Sequence, residues 1–132
     1  MLEASQDVED LARRAIGAAI EVHTLLGPGL LEAMYEEAMV HELGLRGISF
    51  HRQHLLDVQY KGIALGAARL DLLVEGKLIL ELKAVEAIAM IHVAQANAYL
   101  AMTGLELALI LNFNVPSMNR GGIRRVIRSL HE

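Results

Sequence analysis

Cysteine is absent from this chain of 132 residues. That removes disulfide frameworks, thiolate zinc sites, iron–sulfur clusters and cysteine nucleophiles together, so any metal must rest on oxygen or imidazole. No apolar run reaches the roughly 18 residues that would span a bilayer, and the acidic start Met1-Leu2-Glu3-Ala4-Ser5-Gln6-Asp7 does not read as a secretory signal. The expected location is the cytoplasm, with no membrane partner. Cationic residues are few: 12 Lys and Arg against 16 Asp and Glu leave a formal charge of −4. This excludes a protein that coats nucleic acid with a dense basic surface, although an acidic enzyme can still carry a local basic rim such as Arg120, Arg124, Arg125 and Arg128. Several catalytic signatures are missing too. His41-Glu42 lacks the second histidine of a zinc protease, no phosphate-loop lysine follows Gly27-Pro28-Gly29, and no serine sits in a nucleophile elbow.

What is present is apolar: 54% of the residues are hydrophobic and 21% charged. Such a chain buries a real core as one domain, residues 1–132, without a linker or internal repeat.

The most informative stretch is Arg69-Leu70-Asp71-Leu72-Leu73-Val74-Glu75-Gly76-Lys77-Leu78-Ile79-Leu80-Glu81-Leu82-Lys83, two aliphatic runs around a turn. The period of two in a strand puts Leu78, Leu80 and Leu82 on one face and Ile79, Glu81 and Lys83 on the other. If Glu75-Gly76 turns the chain, Asp71 stands across from Glu81, and an acidic cup forms beside a lysine. Two carboxylates plus water suit a hard divalent ion such as Mg2+, and a lysine beside it can position the attacking water. The competing interpretation is a solvated strand face carrying a surface ion pair, which is worth little.

Around that stretch the periodicity predicts a helix from Ser5 to Gly27, a second from Leu30 to Gly44, a strand near 48–60, a Lys61-Gly62 turn and a short strand around 63–66. The two strands above follow, then a crossover helix from Ala84 to Thr103 closed by Gly104. A buried strand over Glu106–Asn112 and a last strand near 123–128 complete the chain. The sum is a mixed α/β or α+β sheet with helices packed on it. On the crossover helix His92, Gln95 and Tyr99 share one stripe, and on the second helix Glu32 and Tyr35 are three apart. Each pattern has a structural explanation as well: a solvated ridge for the first, and for the second a glutamate favoured by the helix dipole beside a core tyrosine. His51 and His54 fall on opposite sides of a strand and make a poor metal pair.

The chain resembles the GxxExxY proteins of the PD-(D/E)xK nuclease superfamily over nearly its whole length. The resemblance rests on Gly27-Pro28-Gly29-Leu30-Leu31-Glu32 with Tyr35, on Asp71-Leu72-Leu73-Val74, on Glu81-Leu82-Lys83-Ala84-Val85, on His92 with Gln95 and Tyr99, and on Asn112-Phe113-Asn114-Val115. It implies a restriction-endonuclease-like core and cleavage of a phosphodiester with Mg2+ or Mn2+. Asp71, Glu81, the Leu82 carbonyl and Glu32 would be the metal ligands, Lys83 the catalytic lysine, and Gln95 with Tyr99 the Gln-x-x-x-Tyr element of exonuclease branches. His92 and Tyr35 would help to position substrate. The proline that leads the superfamily's motif is replaced by Leu70. The implied partner is nucleic acid, DNA ahead of RNA. The alternative function is an inactive nuclease-fold interaction module within a larger complex, and self-association as a homodimer fits both.

Overall fold

The computed structural model describes residues 3–128. The ends of the expected domain, Met1, Leu2 and residues 129–132, lie outside the described residues. Two helices come first, α1 (Gln6–Leu26) and α2 (Glu32–Leu45), then strands β1 (Phe50–Tyr60), β2 (Ile63–Val74) and β3 (Leu78–Lys83). Helix α3 (Met90–Thr103) and strands β4 (Leu107–Asn112) and β5 (Ile123–Ile127) complete the order. The five strands lie in sequence order in one sheet. Only β3 and β4 run parallel, because α3 carries the chain back between them.

Each face of the sheet builds its own core. On one face Leu78, Leu80, Leu82, Leu107, Leu109 and Leu111 meet α1 and α2. The α1 stripe facing them is largely Ala12, Ala15, Ala18 and Ala19, small side chains that let the helix lie close to the strands. On the other face Ile79, Ala108, Ile110 and Val126 meet Ala96 and Leu100 of α3. Burying each leucine contributes roughly 1.5–3 kcal/mol. Leu78–Leu80 of β3 and Leu107–Leu111 of β4 are apolar on both faces, as a sheet covered by helices on two sides requires. Among the described residues no helix is long and apolar enough to cross a membrane.

Two expected boundaries change. The short strand expected around 63–66 and the strand expected from Arg69 are one element, β2, paired with β1 along its length. A register shift between Val58 and Gln59 and the φ of 135° at Gly66 absorb the irregularity within the ladder, where a break was expected. The crossover helix begins at Met90 rather than Ala84. Val85 is taken by a side chain: its N–H donates to Asn112 Oδ1 at 3.0 Å and its carbonyl accepts from Asn112 Nδ2 at 3.0 Å, which holds the segment extended.

The turn joining β2 and β3 has positive φ at both central residues, Glu75 (50°) and Gly76 (67°), and Lys77 N–H donates to Val74 O at 2.9 Å. This geometry matches the right-handed twist of the strands it joins and sets the register of the pair. Backbone pairing between β2 and β3 covers only Val74–Leu78, Leu73–Ile79 and Leu72–Leu80. At Asp71 the strands part. Leu70 packs with the α3-side core whereas Leu72 packs with the α1 side, so the alternation of β2 breaks at Asp71. On β1 the register passes from the Arg52–Leu72 pair to the His54–Leu70 pair, and Gln53, between them, has a φ of 51°.

Candidate active site

Where the ladder stops, side chains continue it. Asp71 N–H donates to Glu81 Oε2 at 3.1 Å, and Leu82 N–H donates to Asp71 Oδ2 at 2.8 Å. Each carboxylate therefore spends one oxygen on the opposite strand and keeps the other without a donor among the described residues. No buried side-chain oxygen or nitrogen among the described residues lacks a partner, so these second oxygens reach solvent. Glu81 is only 6% exposed and Asp71 is half-buried.

Two anions held this closely in a partly dry fork raise each other's cost. Burial pushes the Glu81 carboxyl up to about 8, and the charge of Asp71 adds to that rise. Burial likewise raises Asp71; the Leu82 N–H and the Lys83 charge oppose the rise, while Glu36 and Glu32 add to it. Lys83, half-buried two residues beyond Glu81 on the same face, is thus near enough to act on both carboxylates. The Tyr99 phenol on α3 is held above its usual range, first by burial and then by the charges of Glu81 and Asp71.

The other expected site residues divide. Glu32 is exposed at the start of α2, and its charge bears on both Asp71 and Glu81. Gln95 is exposed one turn before Tyr99. His92 is used locally: its Nδ1 accepts the Ala89 N–H at 2.9 Å and caps α3. Tyr35 is not at the site surface. It is fully buried, stacks on Phe113 with ring centroids 4.7 Å apart, donates to Gly27 O at 2.5 Å and accepts the Leu30 N–H at 3.1 Å. With its hydroxyl used twice it fastens the loop ahead of Glu32 and has no group left to meet a substrate.

Two residues were not singled out for a role by the sequence. Glu36 bears on Asp71 more strongly than Glu32 does, and it is held by Arg52 Nε at 2.6 Å and Gln53 Nε2 at 2.9 Å. Its place one helical turn after Glu32 was the available signal. Asn112, fully buried and opposite Lys83 across the β3–β4 ladder, clamps the segment that leaves the site, and Phe113 N–H donates to Lys83 O at 2.9 Å. A buried polar residue ending an otherwise apolar strand was the visible hint.

No three His, Asp or Glu side chains among the described residues converge closely enough to hold a metal unaided. The fork itself still fits a hard divalent ion. It offers two oxygen donors whose ionised forms are destabilised as they stand, and Mg2+ keeps several waters while taking one or two protein carboxylates.

A five-stranded mixed sheet flanked by helices, with an aspartate, a glutamate and a lysine at the fork of two strands, is the arrangement of a nuclease-like domain. A family model of the PD-(D/E)XK nuclease superfamily matches residues 9–126, and the chain belongs to that superfamily. Asp71 and Glu81-Leu82-Lys83 lie within the matched span and read as an acid followed by an acid-x-lysine. No curated protein matches the sequence. SSO0001, a protein of known crystal structure, aligns with 92% of this chain and 79% of its own at 15% identity and a TM-score of 0.45.

Proposed function

We propose that this domain hydrolyses phosphodiester bonds in DNA with Mg2+ or Mn2+, at the fork between β2 and β3. The observation that carries the reading is the reciprocal tie of Asp71 and Glu81 across the opened ladder, with Lys83 beside it. Asp71, Glu81 and the Leu82 carbonyl would hold the ion, with Glu32 as a direct or water-bridged addition. When bound, such an ion supplies positive charge to the scissile phosphate and lowers the pKa of a coordinated water.

The chain's own residues do the rest. Lys83, a compact cation with three donors, orients the hydrolytic water and faces the charge that develops on the phosphate. Tyr99 bounds the site from the α3 side, where the charges of Glu81 and Asp71 bear on its phenol. Gln95, one turn before it and exposed, offers an amide to the incoming strand. Glu36, fixed by Arg52 and Gln53, keeps the α2 end of the site acidic without itself being free to move.

The test is joint loss of ion binding and cleavage. The wild type binds Mn2+ and cuts DNA, and Asp71→Asn loses both while its circular dichroism spectrum is unchanged. A folded Asp71→Asn variant that cuts at the wild-type rate contradicts the reading.

A further inference from the structure

Across the sheet the rung that holds the carboxylates continues. Asp71 leads to Glu81, Glu81 pairs with Ile110 on β4, and Ile110 pairs with Arg124 on β5. Arg124 is exposed and forms no ion pair among the described residues, whereas its neighbour Arg125 is paired with Glu9 on the other side of the sheet. Arg124 lines a cavity of about 320 Å³ together with Ile88, Met90, Val93, Ala94 and Asn97. Helix α3, which forms much of its wall, has no acidic or basic residue except His92. The cavity thus combines aliphatic side chains with one guanidinium and one amide, its lining divided about evenly between polar and apolar surface, and it opens beside the first turn of α3.

We infer that this cavity seats a nucleotide of the substrate strand, with its phosphate on Arg124 and its base against Val93, Ile88 and Met90, within reach of the Asn97 amide. The size lies in the range of pockets for small organic ligands, which are mostly apolar with a few placed polar groups. Guanidinium is the side chain that best matches phosphate, through paired N–H donors. A base has an apolar face for the aliphatic wall and edge groups for an amide. Continuity with the active site sets the distance. Two strand spacings separate Glu81 from Arg124, about 10 Å; Ala96 and Leu100 of α3 cover Ile110 between them, so a strand whose scissile phosphate lies at the fork would reach the cavity by passing over the first turn of α3. The assignment rests on the nuclease reading and makes Arg124 and the cavity determinants of substrate binding rather than of bond breaking.

The experiment measures binding of a fluorescein-labelled 12-nucleotide single-stranded DNA by anisotropy in EDTA, where no cutting occurs, together with Mn2+ titration. Arg124→Gln is expected to weaken DNA binding about tenfold and to lower the salt dependence by about one phosphate contact. Ala94→Phe, a change at an exposed wall position that fills the cavity while leaving the guanidinium in place, is expected to weaken binding by a similar factor. Both variants should bind Mn2+ like the wild type, and deoxyadenosine monophosphate should compete with the oligonucleotide for the wild type but not for Ala94→Phe. Oligonucleotide binding by both variants at wild-type strength overturns the cavity assignment alone. Loss in Arg124→Gln with none in Ala94→Phe also overturns it, leaving a surface phosphate contact. Failure of the wild type to bind DNA, with Mn2+ bound or absent, overturns the cavity and the nuclease reading together.

Discussion

Asp71 and Glu81 each take one hydrogen bond from the other's strand: Asp71 N–H reaches Glu81 Oε2 at 3.1 Å, and Asp71 Oδ2 receives the N–H of Leu82, the residue after Glu81, at 2.8 Å. The carboxylates thus stand in for the ladder bonds that the parting strands give up. The same tie keeps both acids in a place where their charge is costly.

That cost sets a pH dependence. Glu81 titrates near 8 in the fold and near 4.5 when unfolded, so between those values the native state holds a proton that the unfolded state has lost. Stability of the metal-free protein then falls as pH rises through that window. Asp71 is raised as well and acts in the same direction. Thermal melts from pH 5 to 9 in EDTA should show the wild type losing stability relative to Glu81→Gln as pH rises; parallel curves would contradict the shift. Adding Mn2+ should reverse the trend, since an ion held at the fork would favour the ionised pair.

Asn112→Ala should cost about 2–4 kcal/mol in urea denaturation. It leaves the N–H of the partly buried Val85 without its partner and its carbonyl with only the longer bond from Asn114 Nδ2 at 3.4 Å, and an orphaned group costs about 1–3 kcal/mol. Asn112→Asp retains an acceptor for Val85 N–H but adds a buried charge and removes the donor to Val85 O. It should be at least as destabilised at neutral pH and recover partly as pH is lowered.

Tyr35→Phe keeps the stack on Phe113 and loses both hydroxyl bonds to the Gly27–Leu30 loop. The expected loss is about 1–2 kcal/mol of stability. KM for substrate should be unchanged in the folded variant, and a large KM effect with unchanged stability would show that the hydroxyl meets substrate after all.

His92→Ala removes the acceptor for the Ala89 N–H at the start of α3. It should cost about 1 kcal/mol, the usual worth of a helix cap, measured by thermal denaturation.

The placing of Asp71, Glu81 and Lys83 was legible because three local rules agree there. The period of two assigned faces, Glu75-Gly76 specified a tight turn, and the turn fixed which residues oppose each other. The helices α1 and α2 were legible from their apolar spacing and from Gly27-Pro28. The start of α3 was not, since Ala84 to Ala89 has good helical composition and the side chains that hold Val85, Asn112 and Asn114, lie 27 and 29 residues away. Nor was the role of Tyr35. The spacing of Glu32 and Tyr35 looks alike for a catalytic pair and for an acid beside a core clasp, and the difference lies in where the loop carbonyl of Gly27 falls. The single length of β2 was hidden by Gly66, which marks a break in most strands but here sits in a bulged ribbon.

The most direct test is cleavage of labelled single- and double-stranded DNA and RNA in Mg2+, Mn2+ or EDTA by the wild type and by Lys83→Ala. Cutting of DNA by the wild type in either metal, lost in EDTA and reduced by at least about a hundredfold in a folded Lys83→Ala, is the predicted result. Cutting by Lys83→Ala at the wild-type rate, or no cutting of any substrate by a wild type that also fails to bind Mn2+, would contradict it.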